Sequence, residues 1–249
     1  MLYAIISDIH ANLEALTAVL GAIDQEHVDA VYCLGDIVGY GADPDACVQL
    51  TLARASLVVR GNHDKAVSGL MNLDWFNHIA RAAALWTRQN AREETLQKVK
   101  ALPQGPREAD QGVLICHGTP FDEDTYLLDR ESMIESFRTL DEHHPGTRFC
   151  FHGHTHVPFV AVRSGPGEAP RVLRQRGEID LKADSTYLIN PGSVGQPRDG
   201  NPGASFGILD TNRMVYRNLR MAYGIREAQR KILDAGIPEE LARRLAEGR

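Results

Sequence analysis

Short apolar segments that end abruptly in polar residues constrain the fold of this chain more than any other feature. The first segment, residues 2–7, is too short for a buried helix and is rich in strand-forming residues. Asn12 follows as a candidate helix N-cap, and residues 13–20 carry apolar side chains at helical spacing. This order predicts a central β-strand followed by a helix that covers the sheet.

The same pattern recurs at residues 30–34, 56–60, 113–116 and 149–151. In open α/β sheets, ligands bind at the carboxyl ends of the strands, where the crossover helices leave a crevice. We therefore expect the polar residues that follow these segments to meet at one edge. Gly35 and Gly61 would allow close backbone approach or unusual dihedral angles there. The polar segments are Asp8-Ile9-His10, Gly35-Asp36, Gly61-Asn62-His63-Asp64, Cys116-His117-Gly118 and Gly153-His154-Thr155-His156.

The side chains of these segments have the chemistry of a metal site, because Asp, Asn and His supply the oxygen and nitrogen donors that suit Mn²⁺, Fe and Zn²⁺. An extended backbone from Asp8 to His10 would place both side chains on one face. Asp36 is the natural bridge between two ions about 3.5–4 Å apart, because a carboxylate has two oxygens. The donors are too many for one ion and suit a pair. We predict Asp8, His10 and His156 on one ion, and Asn62, His117 and His154 on the other.

In this order, the segments resemble the motif set of the calcineurin-like metallophosphoesterase superfamily, D-x-H, G-D, G-N-H-D, G-H and G-H-x-H. The start of the chain and the loop at residues 190–198 are most similar to its small bacterial and archaeal predicted phosphodiesterases. The resemblance covers residues 1–220, which would form the catalytic domain. It implies an α/β fold, a four-layer α/β/β/α sandwich of two mixed β-sheets flanked by helices. Residues 221–249 would be a C-terminal helical extension.

The resemblance also implies a reaction. A water that bridges two divalent ions would lose a proton and attack phosphorus in line, with Mn²⁺ as the first candidate and Fe, Zn²⁺, Ni²⁺ or Co²⁺ as the others. His63 is our candidate for the general acid that protonates the departing oxygen, because its neighbour Asn62 would ligate a metal and hold the imidazole close to the phosphate. Asp64 would orient His63 and keep it protonated.

Other polar residues are candidates for contacting the substrate together with Asn62. Arg60 and Arg198 each offer a planar fork of donors to phosphate oxygens. Asn190 and Ser193 belong to a loop after a strand-like segment, and the equivalent loop of the resembling family lies near the metal site. The structural alternative is that residues of this type serve only in turns and caps.

Several residues outside the motifs receive a structural interpretation. His152 is expected to support the site and not to ligate a metal. Cys33, Cys116 and Cys150 lie in apolar segments without paired short spacing, so we expect buried free thiols and neither disulfides nor a structural zinc site. The amphipathic segment at residues 65–99 is either a lid over a leaving group or a packed core helix.

The last part of the chain combines strands and helices. Strand-like segments after His156, at residues 157–163, 204–210 and 214–219, would build the second sheet. From Gly224 onward, two helical patterns are separated by Gly236-Ile237-Pro238. This tail would dock on the domain or on another subunit of a homo-oligomer.

Composition and charge restrict the classes of function. No apolar stretch approaches the ~20 residues of a membrane helix, and the amino terminus lacks the pattern of a signal peptide, so we expect a cytoplasmic protein. The formal net charge of −6 gives no sign of the basic surface with which proteins bind nucleic acid. That charge argues against long nucleic acid as the main substrate.

Three functions remain open at this point. The first is a metal-dependent phosphoesterase that acts on a small phosphodiester or a nucleotide anhydride, such as a dinucleoside polyphosphate. The second is a phosphomonoesterase or a protein Ser/Thr phosphatase, although the long C-terminal extension of protein phosphatases is not evident. The third is a non-catalytic scaffold of the same fold, against which His63 and the full ligand set argue.

Overall fold

Alternating strands and helices make up most of the chain in the computed structural model, which describes residues 1–173 and 177–249. The strands of this part of the chain are β1 (Leu2–Ile6), β2 (Ala30–Cys33), β3 (Leu57–Val58), β4 (Arg107–Asp110), β5 (Val113–Ile115), β6 (Phe149–Phe151), β7 (Phe159–Arg163), β8 (Arg171–Val172), β9 (Glu178–Asp180), β10 (Thr186–Asn190), β11 (Ala204–Asp210) and β12 (Val215–Met221). The helices are α1 (Leu13–Glu26), α2 (Pro44–Arg54), α3 (Asn62–Ser68), α4 (His78–Asn90), α5 (Glu93–Lys100), α6 (Arg130–His143), α7 (Ile225–Asp234) and α8 (Glu239–Glu247). A short 3₁₀ helix, Leu73–Trp75, precedes α4.

The described strands form two mixed sheets of six strands each, which confirms the predicted α/β class. The first sheet has the order β3-β2-β1-β11-β12-β9, and the second has the order β4-β5-β6-β10-β7-β8. Strands β1, β2 and β3 run parallel, and so do β5, β6 and β10. Antiparallel strands flank each parallel set.

Strand β1 shows how the two sheets pack face to face. Alternate side chains of a strand point to opposite faces. Ala4 and Ile6 join the core beneath the helices, whereas Tyr3 and Ile5 join the core between the two sheets. All four side chains are buried. Burial on both faces explains why this strand is a continuous apolar run and not an alternating one.

Helices cover the outer faces of both sheets, which confirms the four-layer sandwich. Helix α1 places Leu16 and Ile23 in the core of the first sheet. On the opposite side, α6 packs Phe137 on the second sheet. As predicted, the side chain of Asn12 caps α1 by accepting a hydrogen bond from the Ala15 N–H at 3.1 Å.

The strands after His156 are divided between the two sheets, so the prediction that all of them build the second sheet is wrong. Strand β7 joins the second sheet beside β10, but β11 pairs antiparallel with β1, and β12 follows it in the first sheet. Apolar alternation identifies a strand but does not say which sheet edge it joins. Here β11 is buried along most of its length between β1 and β12.

The insertion after β3 and the C-terminal tail share a small additional core. Ile79 and Ala83 of α4 pack with Ile232 of α7 and with Leu241 of α8. Helices α7 and α8 flank the predicted break at Gly236-Ile237-Pro238. The tail therefore packs on its own chain.

Two expectations from composition can be compared with the structure. Cys33, Cys116 and Cys150 are free and buried, as predicted, and so is Cys47. Among the described helices, none has the length and apolar character needed to cross a membrane.

Candidate metal centre

The carboxyl ends of the parallel strands in both sheets bring the polar segments together, as predicted. Strand β1 is followed by Asp8 and His10, β2 by Asp36, β3 by Asn62, β5 by His117, and β6 by His154 and His156. Apart from the half-buried Asn62, all of these side chains are buried. Buried ionisable groups must be paired or must coordinate a metal, so the cluster needs a physical explanation.

The chain reaches this cluster through left-handed turns and not through continued strands. Strand β1 ends at Ile6, and Asp8 and His10 have φ angles of 53° and 50°. The backbone from Asp8 to His10 is therefore not extended, although the two side chains do converge. The Asp8 N–H donates to the Gly35 carbonyl at 3.0 Å, and the His10 N–H donates to the Asp36 carbonyl at 2.9 Å. Strained backbone of this kind clusters at functional sites.

Glycines allow the two loops that surround Asp36 to approach each other. A Cβ atom at Gly61 would collide with the Asp36 carboxylate, and one at Gly35 would lie 2.5 Å from the Gly61 nitrogen. Gly35 also has a φ of 97°, which glycine adopts readily. The predicted close approach at these two positions is confirmed.

Two groups of donor atoms share Asp36. Asp8, His10, Asp36 and His156 form one group, and Asp36, His117 and His154 form the other, with all donor atoms of a group within 4.8 Å of one another. The side-chain oxygen of Asn62 lies 3.3 Å from His117 Nε2, beside the second group. The geometry thus divides the side chains as the sequence interpretation did, with Asp36 between the two sets.

The distances between donor atoms suit a bound cation. His10 Nε2 lies 3.0 Å from His156 Nε2, and His117 Nε2 lies 3.1 Å from His154 Nδ1. His117 Nε2 is also 3.4 Å from Asp36 Oδ2. Two nitrogens that bind one ion at about 2.1 Å lie roughly 3.0–3.4 Å apart when the angle at the ion is about 90–110°. The donor set therefore fits divalent metal ions.

Backbone carbonyls fix the tautomers of the four clustered histidines. The carbonyl partners of their second ring nitrogens are Val38 for His10 Nδ1 at 3.3 Å, Leu34 for His117 Nδ1 at 2.8 Å, Asp124 for His154 Nε2 at 3.1 Å, and Gln196 for His156 Nδ1 at 2.6 Å. A carbonyl only accepts, so each of these nitrogens carries the proton. The other nitrogen therefore directs its lone pair into the cluster, which is the arrangement of metal-binding imidazoles.

Electrostatics keep the carboxylates ionised and most of the clustered imidazoles neutral, as metal ligands must be. Burial raises the pKa of Asp36, but the imidazoles around it, His117 first, hold that pKa well below its usual range. Burial and the charge of His117 lower the pKa of His154 to about 3. For His117, burial lowers the pKa, but Asp36 and Asp8 outweigh burial and raise it to about 10. A cation at His117 Nε2 would take the place of that proton.

His63 lies beside the cluster and outside both donor groups. Its ring centroid is 4.8 Å from that of His10, 4.3 Å from that of Tyr40 and 4.8 Å from that of Phe76. Its Nδ1 is buried next to Gly39 without a hydrogen-bond partner, which leaves Nε2 for a ligand. Burial lowers the pKa of His63 to about 4, so the ring is neutral at pH 7. A proton on Nε2 then avoids burying an unpaired donor at Nδ1.

Asp64 accepts hydrogen bonds from the backbone of two loops and does not bond to the His63 ring. Its Oδ2 accepts from the N–H groups of Asp36 at 2.8 Å and Gly61 at 3.0 Å, and its Oδ1 accepts from the Ile37 N–H at 3.0 Å. The prediction that Asp64 orients His63 and keeps it protonated is therefore wrong. Asp64 instead holds the loop that carries Asp36 against the start of α3.

This position predicts a stability effect for Asp64. We expect Asp64→Ala to lower the free energy of unfolding by about 3 kcal/mol, because several buried N–H groups lose their acceptor. Asp74→Ala, which removes an exposed ion pair with Arg81, is the matched control and should cost less than about 0.5 kcal/mol. Urea unfolding followed by circular dichroism measures both variants. Equal effects would contradict the role of Asp64 as a backbone clamp.

Arg60 belongs to an ion-pair network on a neighbouring loop. Its Nη2 lies 2.9 Å from Glu123 Oε1, and the Lys65 ammonium lies 2.9 Å from the same oxygen. The prediction that Arg60 contacts phosphate is corrected accordingly, because Glu123 neutralises its guanidinium. The network adjoins Asp124, whose carbonyl accepts the hydrogen bond from His154. The sequence signal for this ion-pair network is the acidic run at residues 122–124, in the connection before α6.

Asn190 and Ser193 are completely buried and support the backbone around the cluster. The Asn190 amide donates to the Gly153 carbonyl at 2.7 Å, and the Ser193 hydroxyl donates to the Asp8 carbonyl at 2.8 Å. Because these polar atoms bond to protein backbone, the prediction that both residues contact substrate is wrong. His152, beside Asn190, has the structural position that was predicted for it.

Arg198 and two tyrosines line the approach to the cluster. Arg198 Nη2 donates to the Tyr40 hydroxyl at 3.3 Å and to Gln196 Oε1 at 3.2 Å. The Tyr126 ring stacks on His154, with centroids 3.7 Å apart. Arg198 is thus placed where a phosphate contact is feasible, whereas sequence reasoning missed both tyrosines. Tyr40 stands between two glycines in the loop after β2, which was a usable signal, but no pattern marks Tyr126.

A cleft of about 450 Å³ borders the cluster, and we call it the aromatic cleft. Its walls include Trp75 and Phe76 from the insertion, Tyr126 from the connection before α6, and the imidazoles of His63 and His154. Trp75 is 86% exposed, so it stands at the mouth. The insertion after β3 therefore forms a wall of the site in addition to packing on the core.

Comparison with known proteins agrees with this geometry. The calcineurin-like phosphoesterase superfamily domain matches residues 1–214. The uncharacterized protein MJ0912 of Methanocaldococcus jannaschii is 41% identical over 249 residues, which cover 99% of this chain and 98% of that protein. Phosphodiesterase YfcE of Escherichia coli is 27% identical over 217 residues, with 83% of this chain and 85% of YfcE covered.

A solved structure extends the likeness to the whole fold. The crystal structure of a metallophosphoesterase from Sphaerobacter thermophilus has a TM-score of 0.84 and 40% sequence identity. The superposition covers all of this chain and 99% of that one. With two sheets, a shared set of strand-end ligand candidates and a domain match over most of its length, this chain belongs to the calcineurin-like phosphoesterase superfamily.

Proposed function

We propose that this protein is a binuclear metal-dependent phosphodiesterase that hydrolyses a small phosphodiester or a nucleotide phosphoanhydride. The observation that carries the proposal is the pair of buried donor groups that share Asp36. One ion would be held by Asp8, His10, Asp36 and His156, and the other by Asp36, Asn62, His117 and His154, with Mn²⁺ as the first candidate. The phosphodiesterase name of the YfcE relative favours a diester over a monoester. We place its action in the cytoplasm.

Bound ions would act as Lewis acids that lower the pKa of water and neutralise charge on the phosphoryl oxygens. The protein contributes the positions of the reacting groups. Carbonyl partners hold the imidazoles in one tautomer, and the Asp64 carboxylate fixes the loop of Asp36. Such fixed donors need no rearrangement when charge develops in the transition state.

His63 is the proposed proton donor to the departing oxygen. It borders the aromatic cleft next to both donor groups without belonging to either. The neutral ring donates from Nε2, and a bound phosphate anion raises its pKa towards that of a general acid. Arg198, whose guanidinium donates to the Tyr40 hydroxyl, is the proposed contact for a nonbridging phosphate oxygen.

The test compares a diester with a monoester. Protein is stripped with a chelator and reloaded with Mn²⁺, and kcat/KM is measured for bis-p-nitrophenyl phosphate and for p-nitrophenyl phosphate. We expect no activity after stripping, recovery on reloading, and a ratio of the two constants well above one. A ratio well below one would replace the diesterase proposal by a phosphomonoesterase. Activity that survives complete metal removal would overturn the metal-dependent mechanism.

A further inference from the structure

A second cleft, of about 500 Å³, opens beside the aromatic cleft. Arginines from distant parts of the chain line it together with two carboxylates, namely Arg198 from the loop after β10, Arg243, Arg244, Glu240 and Glu247 from α8, and the C-terminal Arg249. We call it the arginine cleft. Tyr40 and Tyr126 line both clefts, so the two are continuous at these residues.

Part of the positive charge in the arginine cleft has no carboxylate partner. Arg244 is paired with Glu240 at 2.6 Å, and Arg249 lies 3.8 Å from Glu247. The side-chain partners of Arg198 are the neutral groups of Tyr40, Tyr126 and Gln196, and within residues 1–173 and 177–249 no carboxylate lies in ion-pair range of Arg198 or Arg243. Arg243 is exposed, so its guanidinium is free to meet a ligand. Two uncompensated guanidinium groups favour an anion with several oxygens.

The positive charge of Arg198 also lies close to the donor cluster. Arg198 Nη2 lies 3.3 Å from the Tyr40 hydroxyl. Its guanidinium lies over the Tyr40 ring at 5.9 Å, and that ring is 4.4 Å from His10. An anion on Arg198 would therefore lie next to a group bound at the donor cluster.

We propose that the arginine cleft binds further phosphate groups of the substrate while the scissile phosphate lies at the donor cluster. The inference rests on the proposed function and narrows its substrate class to compounds with at least one phosphate beyond the scissile one, such as nucleoside oligophosphate chains. Arg198 contacts the phosphate nearest the scissile group, and Arg243 contacts a phosphate farther along the chain. Arg198 lies within residues 1–214 and helix α8 outside them, so the domain and the C-terminal helices each contribute one arginine to this specificity.

The experiment measures binding and does not depend on turnover. Manganese-loaded protein is titrated calorimetrically, in excess Mg²⁺, with adenosine monophosphate and with an ATP analogue whose phosphates are joined by methylene bridges. Arg243→Glu is compared with Arg226→Glu, an exposed residue on α7 that does not line the arginine cleft. Both variants change the net charge equally, so they separate local contact from long-range attraction.

We expect the wild type to bind the three-phosphate analogue at least about tenfold more tightly than the monophosphate. Arg243→Glu should reduce this ratio to about one, and Arg226→Glu should retain it. An unchanged ratio in Arg243→Glu, or an equal reduction in both variants, would overturn the inference. If bis-p-nitrophenyl phosphate is not hydrolysed but the ratio behaves as expected, the proposed function fails and the phosphate subsite stands.

Discussion

Asp36→Asn is expected to lower turnover on the order of 10³-fold or more and to lose bound metal. Asp36 belongs to both donor groups, and its Oδ1 also accepts a hydrogen bond from the backbone N–H of His63 at 2.8 Å. An amide has one oxygen where the carboxylate has two, and it carries no charge. Both ions would therefore be held more weakly, whereas loss of a histidine would affect one group.

Metal content measured by mass spectrometry after reloading, together with kcat for bis-p-nitrophenyl phosphate, checks this expectation. Asp74→Asn is the matched control, because Asp74 is an exposed carboxylate paired with Arg81. It should keep two ions per chain and full activity. Thermal unfolding of the metal-free proteins separates loss of a ligand from loss of the fold. An Asp36→Asn protein that folds, binds two ions and turns over normally would refute the assignment of Asp36 to both donor groups.

The central prediction from sequence was that the polar residues of the donor cluster lie close together. It rested on their positions directly after the predicted strands. Apolar runs that stop at Asp, Asn or His identify the carboxyl edge of a parallel sheet without any knowledge of loop geometry. That is why Asp8, Asp36 and His117 could be brought together in advance. The position of Gly61 against Asp36 follows from the same reasoning, since only glycine lets the loops touch.

The path of the backbone and the supporting residues could not be predicted in the same way. Asp36, His154 and His156 have positive φ angles, which side-chain periodicity does not report. Asn190 and Ser193 are polar residues near the cluster, but their orientation depends on backbone carbonyls contributed by other loops. Sequence spacing places a residue near a site, and only three-dimensional packing decides whether it faces ligand or backbone.

His63→Ala is the second substitution with a large expected effect. We expect metal content to stay nearly intact, because His63 lies outside both donor groups, while turnover falls roughly 10²–10⁴-fold for diesters with poor leaving groups. His143→Ala, at an exposed histidine of α6, is the control and should leave both quantities unchanged. Loss of metal together with activity would instead assign His63 to maintenance of the cluster.

A comparison of two leaving groups tests whether His63 acts by donating a proton. p-Nitrophenolate departs without protonation, whereas phenolate and alkoxides require a donor in the transition state. The loss caused by His63→Ala should therefore be small for bis-p-nitrophenyl phosphate and large for diphenyl phosphate. An equal loss for both esters would mean that the ring binds or orients the phosphate. Because burial holds the pKa of His63 at about 4, the difference between the two esters tests whether bound phosphate makes this ring an acid.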